Sequence, residues 1–350
     1  MNIRTQVKTH SQSATPFAAT RIADNVLDLI GQTPMVRLPH YLEREDVNLI
    51  AKVEALNPGG SAKDRPARHM IDRALADGRL KPGDTVVESS SGNMGIGLAQ
   101  ACAVHGLHFI CVVDPNAQSQ NVAIIRALGG QIELVGHAPD GDFLAARLDR
   151  VAALLAEDTR RFWPNQYANL DNPASHELGT IAEIDAALGG QIDVLFVACS
   201  STGTARGCRD YLRRMGRKTK VVAVDAMGST LFNGNAGPRK ISGMGAGRIP
   251  ELAKGQEFDD LVRVSDVTCV AGCRRAVARE GLLVGGSGGG VLEAVRSMQN
   301  ELAGQTVAAI IHDSGSRYLG TVFDPEWVER ELGICEADVT ALAGLAPADS

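Results

Sequence analysis

Short apolar runs alternate with amphipathic segments along most of this chain. Seven mostly apolar runs predict strands, at residues 49–53, 85–88, 109–113, 132–135, 194–198, 221–225 and 307–311. Seven segments with helical spacing of apolar positions predict helices, at residues 65–77, 94–105, 120–128, 143–156, 173–188, 267–280 and 291–301. Because helices alternate with nearly all-apolar strands, the pattern predicts an α/β fold with parallel sheets covered by helices on both faces.

The composition narrows the classes of partner. The net charge is −6 and no block of lysines and arginines occurs, which argues against nucleic acid and against an anionic membrane. No apolar run approaches the ~18 residues of a membrane span, and residues 1–20 lack a secretory signal. The seven cysteines are scattered, with no C-x-x-C pair, so neither a metal site nor a disulfide framework is expected. We therefore expect a cytoplasmic protein that acts on small molecules.

Candidate chemistry lies in the loops that follow the predicted strands, where α/β folds bind ligands. In the first loop, residues 57–65, Lys63 stands at the opening of a helix. The helix dipole there lowers the pKa of a lysine, which suits a Schiff-base lysine. A solvated surface lysine fits this loop equally well.

Two further loops offer hydroxyl and backbone N–H groups at helix N-termini. Residues 89–95 could hold a carboxylate, or could be an ordinary helix cap rich in serine. Residues 200–204 suit a phosphate, without the glycine-lysine pattern of a nucleotide triphosphate loop. Residues 313–317 predict only a turn followed by a helix.

A serine hydrolase is a less favoured alternative. Residues 285–289 match G-x-S-x-G, and His312 follows in the order expected of a catalytic base. No HGGG-type oxyanion element occurs, and a glycine-rich run matches this pattern easily by accident.

With these loops in this order, the chain resembles the cysteine synthase family of pyridoxal-phosphate (PLP) enzymes, which have fold type II. The likeness covers residues 22–332, and its motifs are the segments 30–38, 57–65, 91–93 and 240–250, together with Gln166. Five ordered motifs make the resemblance specific, although each alone would be weak. It implies a two-domain α/β fold with PLP in the cleft between the domains.

The resemblance assigns a role to each matching residue. Lys63 would hold PLP covalently and move the proton of the substrate Cα. The PLP-binding set would be Asn93 at the 3′-oxygen, Ser314 at the pyridine nitrogen, and Ser200, Ser201, Thr202, Gly203 and Thr204 at the phosphate. The substrate-binding set would be Ser90, Ser91, Met94, Arg147, Gln166, Tyr167 and Gly243.

Some of these residues depart from ordinary cysteine synthases. Met94 replaces a threonine, Tyr167 replaces a phenylalanine, and residues 200–204 replace a G-T-G-G-T loop. The changes resemble the siderophore-pathway branch of N-(2-amino-2-carboxyethyl)-L-glutamate synthases, on a route to 2,3-diaminopropionate. An arginine that helps to bind an acidic substrate is expected in that branch. Arg147 fits this role, although it could equally be a solvated arginine on a helix face.

The resemblance implies PLP-dependent β-replacement, in which O-phospho-L-serine and L-glutamate yield the product of that branch and phosphate. A cysteine synthase that uses sulfide is the main alternative, and a non-catalytic regulator with this fold is disfavoured by Lys63. A homodimer is implied as well. The expected division is an N-terminal extension (1–20), a smaller domain (58–164), a larger domain (21–57 and 165–335) and a C-terminal tail outside the core (336–350).

Overall fold

The computed structural model describes residues 22–138 and 141–346. The strands are β1 (Met35–Arg37), β2 (Asn48–Val53), β3 (Thr85–Ser89), β4 (His108–Val113), β5 (Gln131–Leu134), β6 (Arg161–Phe162), β7 (Val194–Ala198), β8 (Lys220–Ala226), β9 (Asp260–Val264) and β10 (Thr306–Ile311). The α-helices are α1 (Asp64–Ala76), α2 (Asn93–His105), α3 (Ser119–Ala127), α4 (Phe143–Glu157), α5 (Asp171–Ser175), α6 (Ile181–Ala187), α7 (Gly203–Arg214), α8 (Asp266–Glu280), α9 (Gly286–Ser297), α10 (Pro325–Leu332) and α11 (Glu336–Leu342).

The strands form two separate sheets. The larger sheet has the order β1-β2-β10-β7-β8-β9, and all its pairs are parallel except the antiparallel pair of β1 and β2 at one edge. The smaller sheet has the order β5-β4-β3-β6 and is parallel throughout. Its strands all come from within residues 58–164. The division into domains at those bounds stays a prediction.

Each sheet buries an apolar cluster on both of its faces. Along β7, Val194 and Phe196 point into one cluster, whereas Leu195 and Val197 point into the other. This alternation follows from the two-residue period of a strand, and it explains why the central strands are apolar throughout. The α/β class with helices on both faces of parallel sheets is therefore confirmed.

Some elements differ from those predicted. The strands β1, β6 and β9 were not expected, because they are short or partly exposed and lack a long apolar run. The helix expected at 173–188 is broken into α5 and α6 by a π-helical turn at His176–Thr180. The helix expected at 291–301 is α9, which begins at Gly286 and ends at Ser297.

The prediction that residues 336–350 lie outside the core is wrong for the part that the structure describes. Helix α11 packs on α8, and Val339 belongs to the largest apolar cluster. The buried Arg275 guanidinium also donates to the carbonyl oxygen of Ala343, at 2.8 Å. Small residues made this segment look like a tail, yet they allow the close approach of two helices. The expected N-terminal extension, residues 1–20, lies outside the described residues.

The seven cysteines are free thiols, six of them buried and only Cys335 exposed. Burial raises the pKa of each of the six, which keeps them as neutral thiols. Across residues 22–138 and 141–346, no helix has the length and apolar character needed to cross a membrane.

Candidate active site

The loops at the carboxyl ends of strands from both sheets meet around one cavity of about 170 Å³. Its wall contains ten of the residues predicted from the sequence: Lys63, Ser90, Ser91, Asn93, Met94, Arg147, Gln166, Tyr167, Ser200 and Gly243. Ser201, Thr202, Gly203, Thr204 and Ser314 are not in this wall. The structure thus brings together ten of the predicted residues, which are spread over 180 positions of the chain from Lys63 to Gly243.

Lys63 lies immediately before α1 and lines the cavity. No described acidic side chain forms an ion pair with it. Burial lowers the pKa of its amine, while the carboxylates of Asp313 and Glu54 oppose that shift. A lysine in such a position is more readily a neutral nucleophile or base than one in water.

The serine loop combines capping with a place in the cavity wall. The Ser90 hydroxyl accepts hydrogen bonds from the backbone N–H groups of Gly92 (3.4 Å) and Gly95 (3.0 Å), so this residue does cap α2. Ser91 instead accepts from Nη1 of Arg147, at 3.4 Å. Gln166 is buried beside them and donates to the carbonyl oxygen of Ser89. These three side chains, at the N-terminus of α2, could bind an anionic group.

Arg147 is not a solvated arginine, since only 13% of its side chain is exposed. It projects from α4 into the cavity wall. An oxygen of Asp114 lies 3.2 Å from its Nε, although this N–H is not directed at the carboxylate and makes no hydrogen bond among the described residues. Arg147 therefore keeps donors that an acidic ligand could use.

Asn93 is held by two charged side chains at the other side of the site. Its amide nitrogen donates to Oδ2 of Asp313 at 2.8 Å, and its oxygen accepts from Arg317. The hydroxyl of Tyr318 donates to the same Asp313 oxygen, at 2.6 Å. Burial raises the pKa of Asp313, and the bonds from Tyr318 and Asn93 oppose that rise. Asp313 thus anchors Asn93, while the hydroxyl of Ser314 accepts from the backbone of Ser316.

The loop at residues 200–204 leads directly into α7. Thr202 adopts left-handed backbone angles (φ 66°), which turns the chain sharply before the helix. A Cβ on Gly203 would lie 2.2 Å from Oδ1 of Asn172, so only glycine fits there. The hydroxyl of Thr204 forms a hydrogen bond with Nε2 of His176, at 3.2 Å. Burial lowers the pKa of His176, and the nearby charge of Lys63 lowers this pKa further. The loop and Lys63 therefore face a common region.

The geometry does not support the hydrolase alternative. Ser287 and His312 both line the cavity, but no hydrogen bond joins them among the described residues, and both ring nitrogens of His312 are buried without a partner. Burial, reinforced by Lys63, lowers the pKa of His312 to about 3. A base this weak, and unconnected to the serine, cannot activate it.

A second cavity, which we call the side chamber, adjoins the first. Its volume is about 590 Å³, and Arg147, Tyr167 and Ser200 belong to the walls of both cavities. Its wall also contains Arg239 and Arg248, which the sequence reasoning did not select. Their position on either side of the glycine-rich segment 240–247 was the signal that could have found them.

Comparison with known proteins shows what this chain is similar to. A family model described as pyridoxal-phosphate dependent enzyme matches residues 26–313. A protein of Ralstonia nicotianae named N-(2-amino-2-carboxyethyl)-L-glutamate synthase is 42% identical over 311 residues, which cover 88% of this chain and 92% of that protein. A protein of Cupriavidus metallidurans with the same name is 40% identical, again over 88% of this chain and 92% of that one.

Among solved structures, that of an O-ureido-L-serine synthase superposes with a TM-score of 0.81 at 34% identity. It covers 87% of this chain and 96% of that one. The fold and the resemblance predicted from the sequence are thereby confirmed.

Proposed function

The chain belongs to the family of pyridoxal-phosphate dependent enzymes, and we propose that it replaces the phosphate of O-phospho-L-serine with the amino group of L-glutamate. The C–O bond at the serine β-carbon would break and a C–N bond would form, giving N-(2-amino-2-carboxyethyl)-L-glutamate and phosphate. The 42% and 40% identity to proteins of that name supports this choice of reaction.

The residues present fit PLP. Lys63 is half-buried, lines the cavity and makes no ion pair with a described residue, as a covalent attachment point requires. Gly203 allows the side chain of Asn172 to pack against the start of α7, and the first N–H groups of a helix lack partners within that helix and can bind a phosphate. Ser201, Thr202, Gly203 and Thr204 would hold the phosphate, with Ser200 beside them. Asn93 and Ser314 would contact the ring.

When bound, PLP supplies an electron sink for the bonds that break at the Cα and Cβ of an amino acid. Lys63 would hold it and then accept the proton from the substrate Cα, because burial lowers the pKa of this amine. Ser90, Ser91 and Gln166 would orient the substrate through its carboxylate. Met94 and Gly243 would form the neighbouring wall, where buried Met94 helps to exclude water.

The proposal of an acidic substrate rests on the position of Arg147, which lies in the cavity wall beside Ser91. A guanidinium with unused donors matches a phosphate or carboxylate, whereas a sulfide ion needs no such partner. Tyr167 would add a phenolic hydrogen bond in the same wall. Asp114 partly balances the charge of Arg147, which would keep the guanidinium in place before the substrate arrives.

The test mixes the purified enzyme with O-phospho-L-serine and either L-glutamate, sulfide or no nucleophile. The expected product, identified by mass spectrometry, is the glutamate adduct. An Arg147→Gln variant should lose about 10- to 150-fold in kcat/KM for O-phospho-L-serine, the effect of one charge-assisted contact.

Arg150→Gln is the matched control, because Arg150 lies on the same helix but outside the wall of the active-site cavity. Its kcat/KM should stay within about threefold of wild type, as expected of exposed ion pairs. Efficient formation of cysteine from sulfide, with no glutamate adduct, would replace this proposal with a cysteine synthase.

We also propose that the product enters a route to 2,3-diaminopropionate for a siderophore or related natural product. The enzyme would work as a homodimer in the cytoplasm. Light scattering on the purified protein tests the dimer, and a monomeric mass would contradict it.

A further inference from the structure

The side chamber is positioned to hold a second substrate next to the first. Its three residues in common with the active-site cavity, Arg147, Tyr167 and Ser200, form the boundary through which a nucleophile would reach Lys63. Its volume of about 590 Å³ lies within the range of small-ligand sites, about 300–1,000 Å³.

Arg239 is the unusual residue of this chamber. It is half-buried, and no described carboxylate forms an ion pair with it. Its Nε is buried without a hydrogen-bond acceptor. Burial lowers the pKa of the Arg239 guanidinium, and the charges of Asp225 and Asp266, which form no ion pair with it, only partly oppose this shift. A half-buried guanidinium without a partner is costly, and an incoming carboxylate would relieve that cost.

The glycine-rich loop is shaped around this guanidinium. A Cβ on Gly245 would lie 2.5 Å from Nη1 of Arg239, and one on Gly247 would lie 3.5 Å from Nη2. Gly245 also accepts a hydrogen bond from the hydroxyl of Ser200, at 3.0 Å. Arg239 thus packs against the same loop that reaches the boundary between the two cavities.

The remaining charges make the chamber positive. Arg248 pairs with Asp142 of the α4 N-terminus, and Glu251 pairs with Lys254 at 2.5 Å. Arg239 is therefore the arginine of this wall that has neither an ion-pair partner nor a hydrogen-bond acceptor for its Nε among the described residues. Leucines of α4 and the 249–250 segment add an apolar surface that could pack against methylene groups.

We propose that the side chamber binds the second amino-acid substrate and that Arg239 pairs with its side-chain carboxylate. This inference rests on the proposed function and names the residue that selects the nucleophile. With its far carboxylate at Arg239, an amino acid of glutamate length would turn its amine toward the boundary at Arg147 and Tyr167. An amide or an uncharged side chain would leave Arg239 unpaired.

The experiment compares L-glutamate with L-glutamine, which differ only in the charged group that Arg239 would bind. Wild type should prefer glutamate, and Arg239→Gln should reduce the ratio of kcat/KM for the two nucleophiles by about 10-fold or more. The KM for glutamate should rise, whereas phosphate release from O-phospho-L-serine without a nucleophile should be unchanged. Arg239→Lys should restore part of the preference.

Arg160→Gln is the matched control, because Arg160 is an exposed arginine that pairs with Asp158 away from both cavities. It should leave the glutamate-to-glutamine ratio at the wild-type value. If Arg239→Gln folds, releases phosphate normally and keeps that ratio, the inference is overturned while the proposed function stands. If wild type forms no glutamate adduct at all, the proposed function fails, and the inference fails with it.

Discussion

Two lysines of this protein, the buried Lys52 and the half-buried Lys63, show how neighbours decide the chemistry of a residue. Lys52 is 1% exposed, and its amine contacts a carboxylate oxygen of Glu183 and the carbonyl oxygen of Thr33, both at 2.6 Å. Lys63 has no such partners among the described residues, and burial lowers the pKa of its amine. The amine of Lys52 is thus occupied by an ion pair and a hydrogen bond, whereas the amine of Lys63 is available, and its lowered pKa favours the neutral form that attacks a carbonyl group.

This contrast predicts where PLP is attached. Reduction of the holoenzyme with borohydride should fix a pyridoxyl group on Lys63, and peptide mapping by mass spectrometry should find none on Lys52. Lys63→Ala should lose the covalent label completely. A label on Lys52 in the wild-type enzyme would contradict the assignment.

Most of the residues that the sequence selected through its motifs line one cavity in the structure, and the roles given to them stay predictions. Lys63 and Ser91 lie in loops that follow predicted strands, so their positions in the sequence pointed to the site. Arg147 was selected because of the resemblance to a family branch. Arg239 was missed because its role depends on the absence of a partner, which only the packing of the glycine-rich loop reveals. The anchoring of Asn93 by Asp313 was missed for a similar reason, since the two are 220 positions apart.

At the scale of elements, helix α9 shows why glycine residues can mislead the prediction of a helix from sequence. Residues 286–290 looked like a loop because glycine has a low helix propensity. In the fold, a Cβ on Gly272 of α8 would lie 2.2 Å from the carbonyl oxygen of Gly289, so the two helices touch through their backbones. Glycine is therefore required inside this helix by its packing against α8. Helix propensity, which depends only on the local sequence, does not include this requirement.

Glu88 near the end of β3 joins that strand to the segment that carries Gln166. Its buried carboxylate accepts hydrogen bonds from Trp163 (3.0 Å) and from the backbone N–H groups of Ser89 (2.9 Å) and Gln166 (3.1 Å). Burial nevertheless outweighs these bonds and raises its pKa from 4.5 to about 7. The folded state then keeps a proton that the unfolded chain releases between these two values.

The raised pKa of Glu88 should make the stability of the fold depend on pH. Because the folded state binds more protons in this window, its stability should fall as pH rises from about 4.5 to about 7, by up to about 3 kcal/mol, and then level off. Glu88→Gln removes this contribution, so its free energy of unfolding should fall less than that of wild type between pH 5 and pH 8. Urea denaturation at both pH values measures the difference.

The exposed Glu301 offers a control for this titration, and Glu301→Gln should follow the wild-type dependence on pH. If wild type and Glu88→Gln lose the same stability between pH 5 and pH 8, Glu88 is ionised throughout.

At the scale of the whole molecule, the C-terminal segment belongs to the core of the larger sheet. Removing residues 336–350 would expose the cluster around Val339 and take Ala343 away from the buried Arg275. The truncated enzyme should lose about 3 kcal/mol or more of stability, from apolar burial and one charged hydrogen bond. Thermal unfolding followed by circular dichroism measures this loss.

A shorter truncation, which removes residues 347–350 alone, is the control that distinguishes the loss of α11 from the loss of the last residues. It should unfold at the wild-type temperature. Equal melting temperatures for wild type and the longer truncation would show that α11 contributes nothing to the core.

The distribution of the cysteines has a practical consequence. Six thiols are buried and kept protonated, whereas Cys335 is exposed at the start of α11. A maleimide dye should therefore react with the native chain at a single place. Its fluorescence would report when the last helix leaves the core, without any engineered cysteine.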